Sequence, residues 1–166
     1  MPTRDFLGKE WKLKCMGCDI AGNSMIVPGG IIKEDKYFIV HQDPLIPLPG
    51  FIVIASKRHF KSIDQMNSME YKSFVRLLLC TQIAIKQALK TKYLTIVQEE
   101  SSIHFHLWFF PWSNDVIKLF GEPSLASIRE IMKKLKEKSI TNTEWKKLEK
   151  TIVKIKTLIN RKTEKL

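Results

Sequence analysis

The segment formed by residues 103–110 most constrains the fold, because it alternates aromatic and polar side chains around two histidines. His104 and His106 are two residues apart, and a β-strand points alternate side chains to opposite faces. Both imidazoles therefore lie on one face of a predicted strand, while Phe105 and Leu107 point to the other face and into a core. The chain is expected to build a sheet with one apolar face and one face that carries polar chemistry.

Three further short runs predict strands, because they are rich in β-branched and aromatic residues. These runs are residues 37–40, 51–55 and 94–97. The prolines between the first two runs forbid regular pairing, so a stiff loop is expected to join those strands. Pro111 is expected to end the histidine strand, since proline donates no backbone hydrogen bond.

A helix is predicted after Ser68, which is a favourable N-cap residue. Apolar residues recur three and four positions apart over about twenty residues, which is typical of an amphipathic helix that covers one face of a sheet. Strands on both sides of a packed helix place the chain in the α+β class. The positions are Tyr71, Phe74, Val75, Leu78, Leu79, Ile85 and Leu89.

Beyond Trp112 the pattern is helical only, so we predict a domain of residues 1–113 followed by an extension of residues 114–166. Two apolar stripes, separated by a capping-box pattern at Thr141 and Glu144, predict a helical hairpin. Packing against the chain's own domain is favoured over a seam for another chain, because each helix is short. The stripes are Leu125, Ile128, Met132, Leu135 and Trp145, Leu148, Ile152, Ile155, Ile159.

Composition excludes several protein classes. The chain has 166 residues, 44% hydrophobic and 27% charged, which is the length and balance of one globular domain and not of a disordered, collagenous or disulfide-rich chain. No apolar run approaches the roughly 18 residues of a membrane span, and the first residues are charged where a signal peptide is apolar. Three cysteines suit a reducing compartment, so a cytoplasmic protein is predicted.

The net charge is +11, from 28 basic and 17 acidic residues. Residues 114–166 contribute 14 basic and 7 acidic side chains, or +7, and residues 1–113 contribute 14 minus 10, or +4. This balance favours anionic partners. For the extension, a solvated lysine-rich helical surface is favoured over a nucleic-acid-binding arm.

Cys15 and Cys18 have the two-residue separation that lets two thiolates bind one tetrahedral zinc ion, and His59 with a strand histidine would complete the set. A redox pair is disfavoured, because no strand is predicted to lead into a helix that starts at the cysteines. Two inert thiols are the remaining alternative. Cys80 lies in the apolar part of the long helix and is expected in the core.

Four segments together resemble the histidine-triad (HIT) family of nucleotide hydrolases and transferases. Residues 15–20 resemble its opening cysteine pair, residues 31–35 its acidic strand entry, residues 43–59 its central loop and strand, and residues 101–111 its histidine strand. The four segments occur in the family's order and at compatible spacing, and they cover about residues 15–112 of the chain.

The resemblance implies a sheet of about five antiparallel strands crossed by the long helix, usually in a dimer, with the α-phosphate of a nucleotide beside the histidine strand. His106 takes the position of the family's nucleophile, which forms a covalent nucleotidyl-histidine. Ser101 matches a phosphate-binding serine and Asp43 a ribose-binding acid. A turn-stabilising role before Pro44 is the alternative for Asp43. The zinc-bearing branches imply Cys15, Cys18, His59 and His104 as metal ligands.

Departures from the family pattern narrow the expected function. Trp108 replaces the third histidine, and an indole donates a hydrogen bond but supplies no proton at pH 7. A leaving group that is itself a phosphate suits such a site, so we favour dinucleoside polyphosphates as substrates that contact Asp43, Ser101 and Trp108. Glu99 and Glu100 are unfavourable near a phosphate unless they turn away. The alternatives are a nucleotide-binding protein without turnover and a nucleic-acid-associated protein.

Overall fold

The computed structural model describes residues 2–163. The first residue of the predicted domain, Met1, and the last three residues of the predicted extension, 164–166, lie outside the described residues. Its centre is a five-stranded antiparallel sheet in the order β3-β4-β5-β7-β6, which confirms the predicted α+β class. The strands are β1 Thr3–Arg4, β2 Glu10–Trp11, β3 Ile31–Glu34, β4 Phe38–Gln42, β5 Ile52–Ser56, β6 Tyr93–Gln98 and β7 His106–Trp112. The helices are α1 Met16–Ala21, α2 Ser68–Leu89, α3 Asn114–Phe120, α4 Leu125–Glu137 and α5 Asn142–Thr163.

The two faces of the sheet follow the period of two. One face packs with α2 and α5 in the principal core, to which β4 contributes Val40, β5 contributes Ile54 and β7 contributes Phe109. The other face carries His41 and His106 on β4 and β7 and lines a pocket. The sheet therefore separates its polar chemistry from its main core, as the alternation predicts.

The long helix α2 begins at Ser68, one residue earlier than predicted, and its N-cap is Asn67. The Asn67 side chain accepts from the backbone N–H groups of Met69 and Glu70, and Glu70 accepts from the Asn67 N–H, which completes a capping box. The prediction of Ser68 as N-cap is wrong by one residue. The asparagine carbonyl supplies the hydrogen bonds that a serine hydroxyl supplies in other helices.

Part of the predicted apolar face of α2 is exposed. Phe74 and Ile85 are buried, whereas Tyr71, Val75 and Leu79 are 54%, 42% and 46% exposed. These three side chains are four residues apart and form a second row beside the buried one. Spacings of three and four residues fit both rows, so the sequence predicted one buried stripe. The prediction is wrong for the exposed row.

The histidine strand is displaced relative to the prediction. β7 begins at His106, so His104 precedes the strand, and it continues through Pro111 to Trp112. Beyond Phe109, β7 pairs with β6 alone, so Pro111 can direct its nitrogen to the open side of the strand without losing a ladder hydrogen bond. Proline therefore does not end the strand.

The N-terminal segment contains three short elements for which the sequence analysis predicts no strand or helix. β1 pairs with β2, and Asp5 holds the turn between them by accepting from the backbone N–H groups of Leu7 and Lys9. α1 follows with Cys15 at its N-cap position. Elements of two and six residues are too short for a periodic pattern to reveal.

The C-terminal helices pack on the chain's own domain. α5 places its predicted stripe in the principal core against α2 and β3. The first stripe is only partly correct, because Ile128 and Ile131 of α4 are buried while Leu125 is 67% exposed. α4 joins a second cluster with Phe51. The two helices thus pack in different clusters, and the boundary at residue 114 stays a prediction.

Truncation of Ile155 is expected to destabilise the whole domain, because this side chain is fully buried between α5 and the sheet core. We expect Ile155→Ala to lower the free energy of unfolding by about 2–5 kcal/mol, through lost burial and a cavity. Val153→Ala is the matched control, since Val153 is 59% exposed on the same helix and its truncation should cost at most about 0.5 kcal/mol. Urea denaturation measures both, and equal small losses would show that α5 is not part of the core.

Candidate functional site

Two cysteines and two histidines converge at one end of the sheet. All four candidate ligand atoms of Cys15, Cys18, His59 and His104 lie within 4.8 Å of one another. The Cys15 Sγ atom is 3.6 Å from His59 Nδ1 and 3.3 Å from His104 Nδ1, and the Cys18 Sγ atom is 3.2 Å and 3.5 Å from the same nitrogens. The structure thus brings together the four predicted metal ligands from three separate parts of the chain.

Three local structures present these ligands. Cys15 and Cys18 belong to the first turn of α1, His59 follows β5, and His104 precedes β7. Gly17 lets α1 approach, because a Cβ atom there would lie 2.3 Å from the His104 ring. A larger residue between the cysteines would displace either the helix or the histidine.

The geometry fits a tetrahedral zinc ion. Zinc–sulfur bonds of about 2.3 Å and zinc–nitrogen bonds of about 2.0–2.1 Å give tetrahedral edges of roughly 3.3–3.8 Å. The two nitrogens, His59 Nδ1 and His104 Nδ1, are 3.3 Å apart, which agrees with such an edge. His104 Nε2 donates to the Ser56 carbonyl at 2.8 Å, which leaves the Nδ1 lone pair free. Burial lowers the pKa of His104 and keeps it in the neutral form that binds metals.

The positions of the two thiols disfavour the alternative that Cys15 and Cys18 form a redox pair. A helix does start at the cysteines, contrary to the expectation used against that alternative. Each thiol, however, lies within 3.6 Å of a nitrogen of both histidines. An arrangement that directs four soft or borderline donors at one point favours a metal over a disulfide.

A cavity of about 300 Å³ lies beside this cluster, on the sheet face opposite α2. Its floor is formed by Val53 and Ala55 of β5, and His41 and His106 stand on the two neighbouring strands. Strands two apart are separated by about 10 Å, so the small floor residues leave room for a ligand between the histidines. Met16, Gly17 and Ile20 of α1 also line the cavity, which therefore adjoins the metal ligands directly.

His106 presents one ring nitrogen to this cavity. Its Nδ1 atom donates to the His104 carbonyl at 3.1 Å, so Nδ1 carries the proton. Nε2 is then the unprotonated nitrogen and has no hydrogen-bond partner among residues 2–163. The predicted nucleophile thus has the tautomer that nucleophilic attack through Nε2 requires.

Asp43 lines the same cavity and also holds the turn that follows β4. Its Oδ1 atom accepts from the N–H groups of Leu45 at 2.7 Å and Ile46 at 2.9 Å. The turn-stabilising role weighed from the sequence is therefore present. Oδ2 makes no hydrogen bond to the described part of the chain, so a ligand can use it. Burial raises the pKa of Asp43 to about 6, although both backbone donors and the charges of His106 and Lys136 lower it.

A stability measurement can check this raised pKa. A folded pKa above the unfolded value of 3.8 means that Asp43 favours folding below pH 4 and that this contribution is lost as the pH rises through 6. Asp43→Asn keeps the Oδ1 acceptor, so its stability relative to the natural chain should rise between pH 4 and pH 7.5. We expect a rise of about 1–2 kcal/mol, allowing for screening at this half-buried group. Urea unfolding across this range tests it, and a constant difference would contradict it.

His41 is a pocket residue whose role could not be predicted from the sequence. It is 2% exposed, its Nδ1 atom donates to the Gln42 carbonyl at 2.8 Å, and its Nε2 atom has no partner in the described residues. Burial lowers the pKa of His41 to about 4, so the ring is neutral at pH 7. The only signal in the sequence was a histidine in an otherwise apolar strand.

Comparisons with known proteins agree with this fold. No family model matches the sequence. An uncharacterized HIT-like protein of Methanocaldococcus jannaschii is 23% identical over 130 residues, covering 74% of this chain and 98% of that protein. The cysteine pair and the histidine strand of this chain form the site that the HIT resemblance implies. The chain has the fold of the histidine-triad proteins.

Solved structures show the same HIT fold. A hypothetical histidine triad nucleotide-binding protein of Sulfolobus tokodaii matches with a TM-score of 0.61 at 18% identity, covering 89% of this chain and 93% of that chain. A zinc-bound histidine triad family protein of Mycobacterium smegmatis matches with a TM-score of 0.55 at 15% identity, covering 89% and 94%. These likenesses establish the fold.

Ser102, and not Ser101, lies beside His106. Ser101 is exposed and does not line the cavity, whereas Ser102 does. The Ser102 hydroxyl is 2.9 Å from the His104 carbonyl and 3.4 Å from His106 Nδ1. The family's spacing pointed to Ser101, but the turn ahead of β7 directs the next serine inward.

The HIT position that differs most, Trp108, does not line the cavity. Its ring packs edge-on against Phe51, with ring centroids 5.5 Å apart. Trp108 and Phe51 therefore form one aromatic pair on this face of the sheet. This position supplies packing and no titrating group.

The acidic residues ahead of the histidines turn away from the HIT pocket. Glu99 pairs with Arg129 of α4 at 2.6 Å, and Glu100 accepts from the Ser62 hydroxyl at 2.7 Å. Neither carboxylate lines the cavity, so the repulsion expected from the sequence does not arise.

Within residues 2–163, no helix combines the length and the apolar character needed to cross a bilayer.

Proposed function

We propose that this HIT protein is a nucleotidyl hydrolase or transferase that acts at the α-phosphate of a nucleotide through a covalent nucleotidyl-histidine at His106. The observation that supports it best is the orientation of His106, whose Nδ1 proton is held by the His104 carbonyl at 3.1 Å while its ring lines the cavity. A neutral imidazole with a free Nε2 is a nucleophile at pH 7.

The reaction has two displacements at phosphorus. His106 Nε2 attacks the α-phosphorus, an N–P bond forms, and the P–O bond to the leaving phosphate breaks with its electron pair on that phosphate. Water or an acceptor hydroxyl then attacks the same phosphorus, the electron pair of the N–P bond returns to His106 Nε2, and the proton of the attacking group passes to solvent. In-line attack requires the phosphate to lie on the face of the sheet where the His106 ring lines the cavity.

The neighbouring side chains have separate binding roles in this proposal. The Oδ2 atom of Asp43 accepts from the ribose hydroxyls, while its Oδ1 atom stays in the turn. The Ser102 hydroxyl, close to His106, meets the α-phosphate. The phosphate contact of Ser101 and the nucleotide contact of Trp108 stay predictions. Because Trp108 provides no acid, a phosphate leaving group is favoured, and dinucleoside polyphosphates are the substrate class we propose.

Cys15, Cys18, His59 and His104 would hold zinc. A bound ion would have a structural role, because all four positions of the tetrahedron are filled by the protein. It would tie α1 to the segments that carry His59 and His104. A reducing compartment such as the cytoplasm keeps both cysteines available as ligands.

Nucleotide binding without turnover is the second candidate function, and Trp108 is the observation that favours it. Its indole cannot replace the proton donor of a third histidine.

We also expect the HIT chain to form a homodimer, and the exposed apolar row of Tyr71, Val75 and Leu79 on α2 supports that expectation. Light scattering measures the oligomeric state.

Incubation with diadenosine tetraphosphate in ¹⁸O-labelled water tests the proposed activity. Attack at the α-phosphate yields AMP that carries the label and unlabelled ATP, which mass spectrometry separates. Binding of AMP without any product would support the second candidate function. Label in ATP alone would place the attack on another phosphorus and contradict the proposed mechanism.

A further inference from the structure

A basic stripe runs along one face of α4. Its members are Arg129, Lys133 and Lys136, which are spaced by four and three residues and therefore share a helix face. All three side chains are exposed. The stripe lies in the extension whose charge the proposed reaction does not use.

An ion pair connects one end of the stripe to the turn ahead of the site. Arg129 pairs at 2.6 Å with Glu99, which lies in the turn that leads to the two site histidines. At the other end, the charge of Lys136 acts on the Asp43 carboxyl and helps to lower its pKa, as the charge of His106 does. The stripe therefore runs from the turn ahead of His106 towards the ribose side of the pocket.

Core packing fixes this position of α4. Ile128 and Ile131, on the buried face of the helix, are 1% and 2% exposed and belong to the cluster that contains Ile46. Ile46 donates its N–H to Asp43, so the helix packs against the same turn that positions the pocket carboxyl. Arg129 has its charge neutralised by Glu99, but Lys133 and Lys136 form no ion pair within residues 2–163.

We propose that Lys133 and Lys136 bind the phosphates beyond the α-phosphate of a polyphosphorylated nucleotide whose α-phosphate lies at His106. This inference rests on the proposed function and deepens it, because it selects nucleoside polyphosphates and dinucleoside polyphosphates over monophosphates. Lysine ammonium groups bind phosphate as point charges, and two of them beside a nucleotide pocket match a short polyphosphate.

A nucleic acid backbone is the other polyanion that this surface could attract, and the geometry disfavours it. Seven residues of α-helix span about 10 Å, which is the reach of a few phosphates. Binding along a nucleic acid needs a longer basic track and aromatic platforms for the bases. Lys133 and Lys136 instead lie on a helix that packs against the turn that holds the pocket residue Asp43.

The test is a comparison of affinities for AMP and for the α,β-methylene analogues of ADP and ATP, which the chain cannot cleave at the α-phosphate. Calorimetry on the natural chain should show tighter binding with each added phosphate. In Lys133→Ala with Lys136→Ala, the affinity ratio of the ATP analogue to AMP should fall about five- to tenfold. The matched control is Lys146→Ala with Lys150→Ala, which removes two exposed lysines of α5 and should leave that ratio unchanged.

The outcomes distinguish the role of Lys133 and Lys136 from the proposed function. Equal affinity for all three ligands in the natural chain, or the same fall in the control, would overturn the role of Lys133 and Lys136 and leave the proposed function standing. Failure to bind even AMP would overturn both. A fall in affinity for a single-stranded oligonucleotide, with an unchanged nucleotide ratio, would overturn the inference in favour of nucleic acid binding.

Discussion

Replacing His106 with alanine is expected to lower kcat/KM for diadenosine tetraphosphate by at least about 10³-fold, because the variant lacks the atom that forms the covalent intermediate. The loss should appear in kcat, since Asp43 and the rest of the pocket still bind the nucleotide. Steady-state kinetics with chromatographic detection of AMP measure it.

The control for this variant is the fold. His106 is only half-buried, so His106→Ala should change the free energy of unfolding by less than about 1 kcal/mol. Its affinity for AMP should stay within a few-fold of that of the natural chain. Undiminished turnover in a folded variant would remove His106 from the mechanism, whereas an unfolded variant would be replaced by His106→Asn, which keeps a polar side chain of similar size.

Removing zinc is expected to have the second large effect. The protein purified without an affinity tag should contain about one zinc ion per chain, held by four ligands from three segments. An ion bound only by the folded state at 10³ times its dissociation constant adds about 4 kcal/mol. Chelation should therefore lower Tm by about 10 °C for a domain of this size.

The cysteines provide a matched comparison for this effect. Cys15→Ser with Cys18→Ser should release the ion and abolish the response of Tm to a chelator. Cys80→Ser alters a fully buried cysteine of α2 far from the ligand cluster in sequence, so it should lower stability and retain zinc. Metal analysis together with differential scanning fluorimetry distinguishes them. A natural chain without zinc that unfolds identically with and without chelator would return Cys15 and Cys18 to the class of inert thiols.

Sequence reasoning found the metal ligands because their chemistry is restrictive. A cysteine pair two residues apart and two histidines leave few ways to complete a tetrahedron, and the structure brings those four side chains together. It also found four of the five strands of the main sheet, because β-branched and aromatic runs between turns are a strong local signal. The apolar spacing of α5 was equally clear, and its whole stripe is buried or half-buried.

The features that could not be predicted from the sequence lie at positions whose structure depends on tertiary contacts. Pro111 stays in a strand because its neighbour β5 has already ended, which no local rule shows. The turn ahead of β7 places Ser102 beside His106, which the spacing in the sequence does not show, and the phosphate contact of Ser101 stays a prediction. Arg129 pairs with a residue 30 positions away, so the contact between α4 and the acidic turn could not be seen in the sequence.

The covalent intermediate is the central claim, and rapid quenching with a substrate labelled at the α-phosphate tests it most directly. During turnover, the label should become attached to the protein, survive alkali and be lost in acid, as a phosphorus–nitrogen bond requires. Peptide mapping should place it on His106, and the His106→Ala variant should carry none. Turnover of the substrate without any protein-bound label, or a label on another residue, would contradict the mechanism.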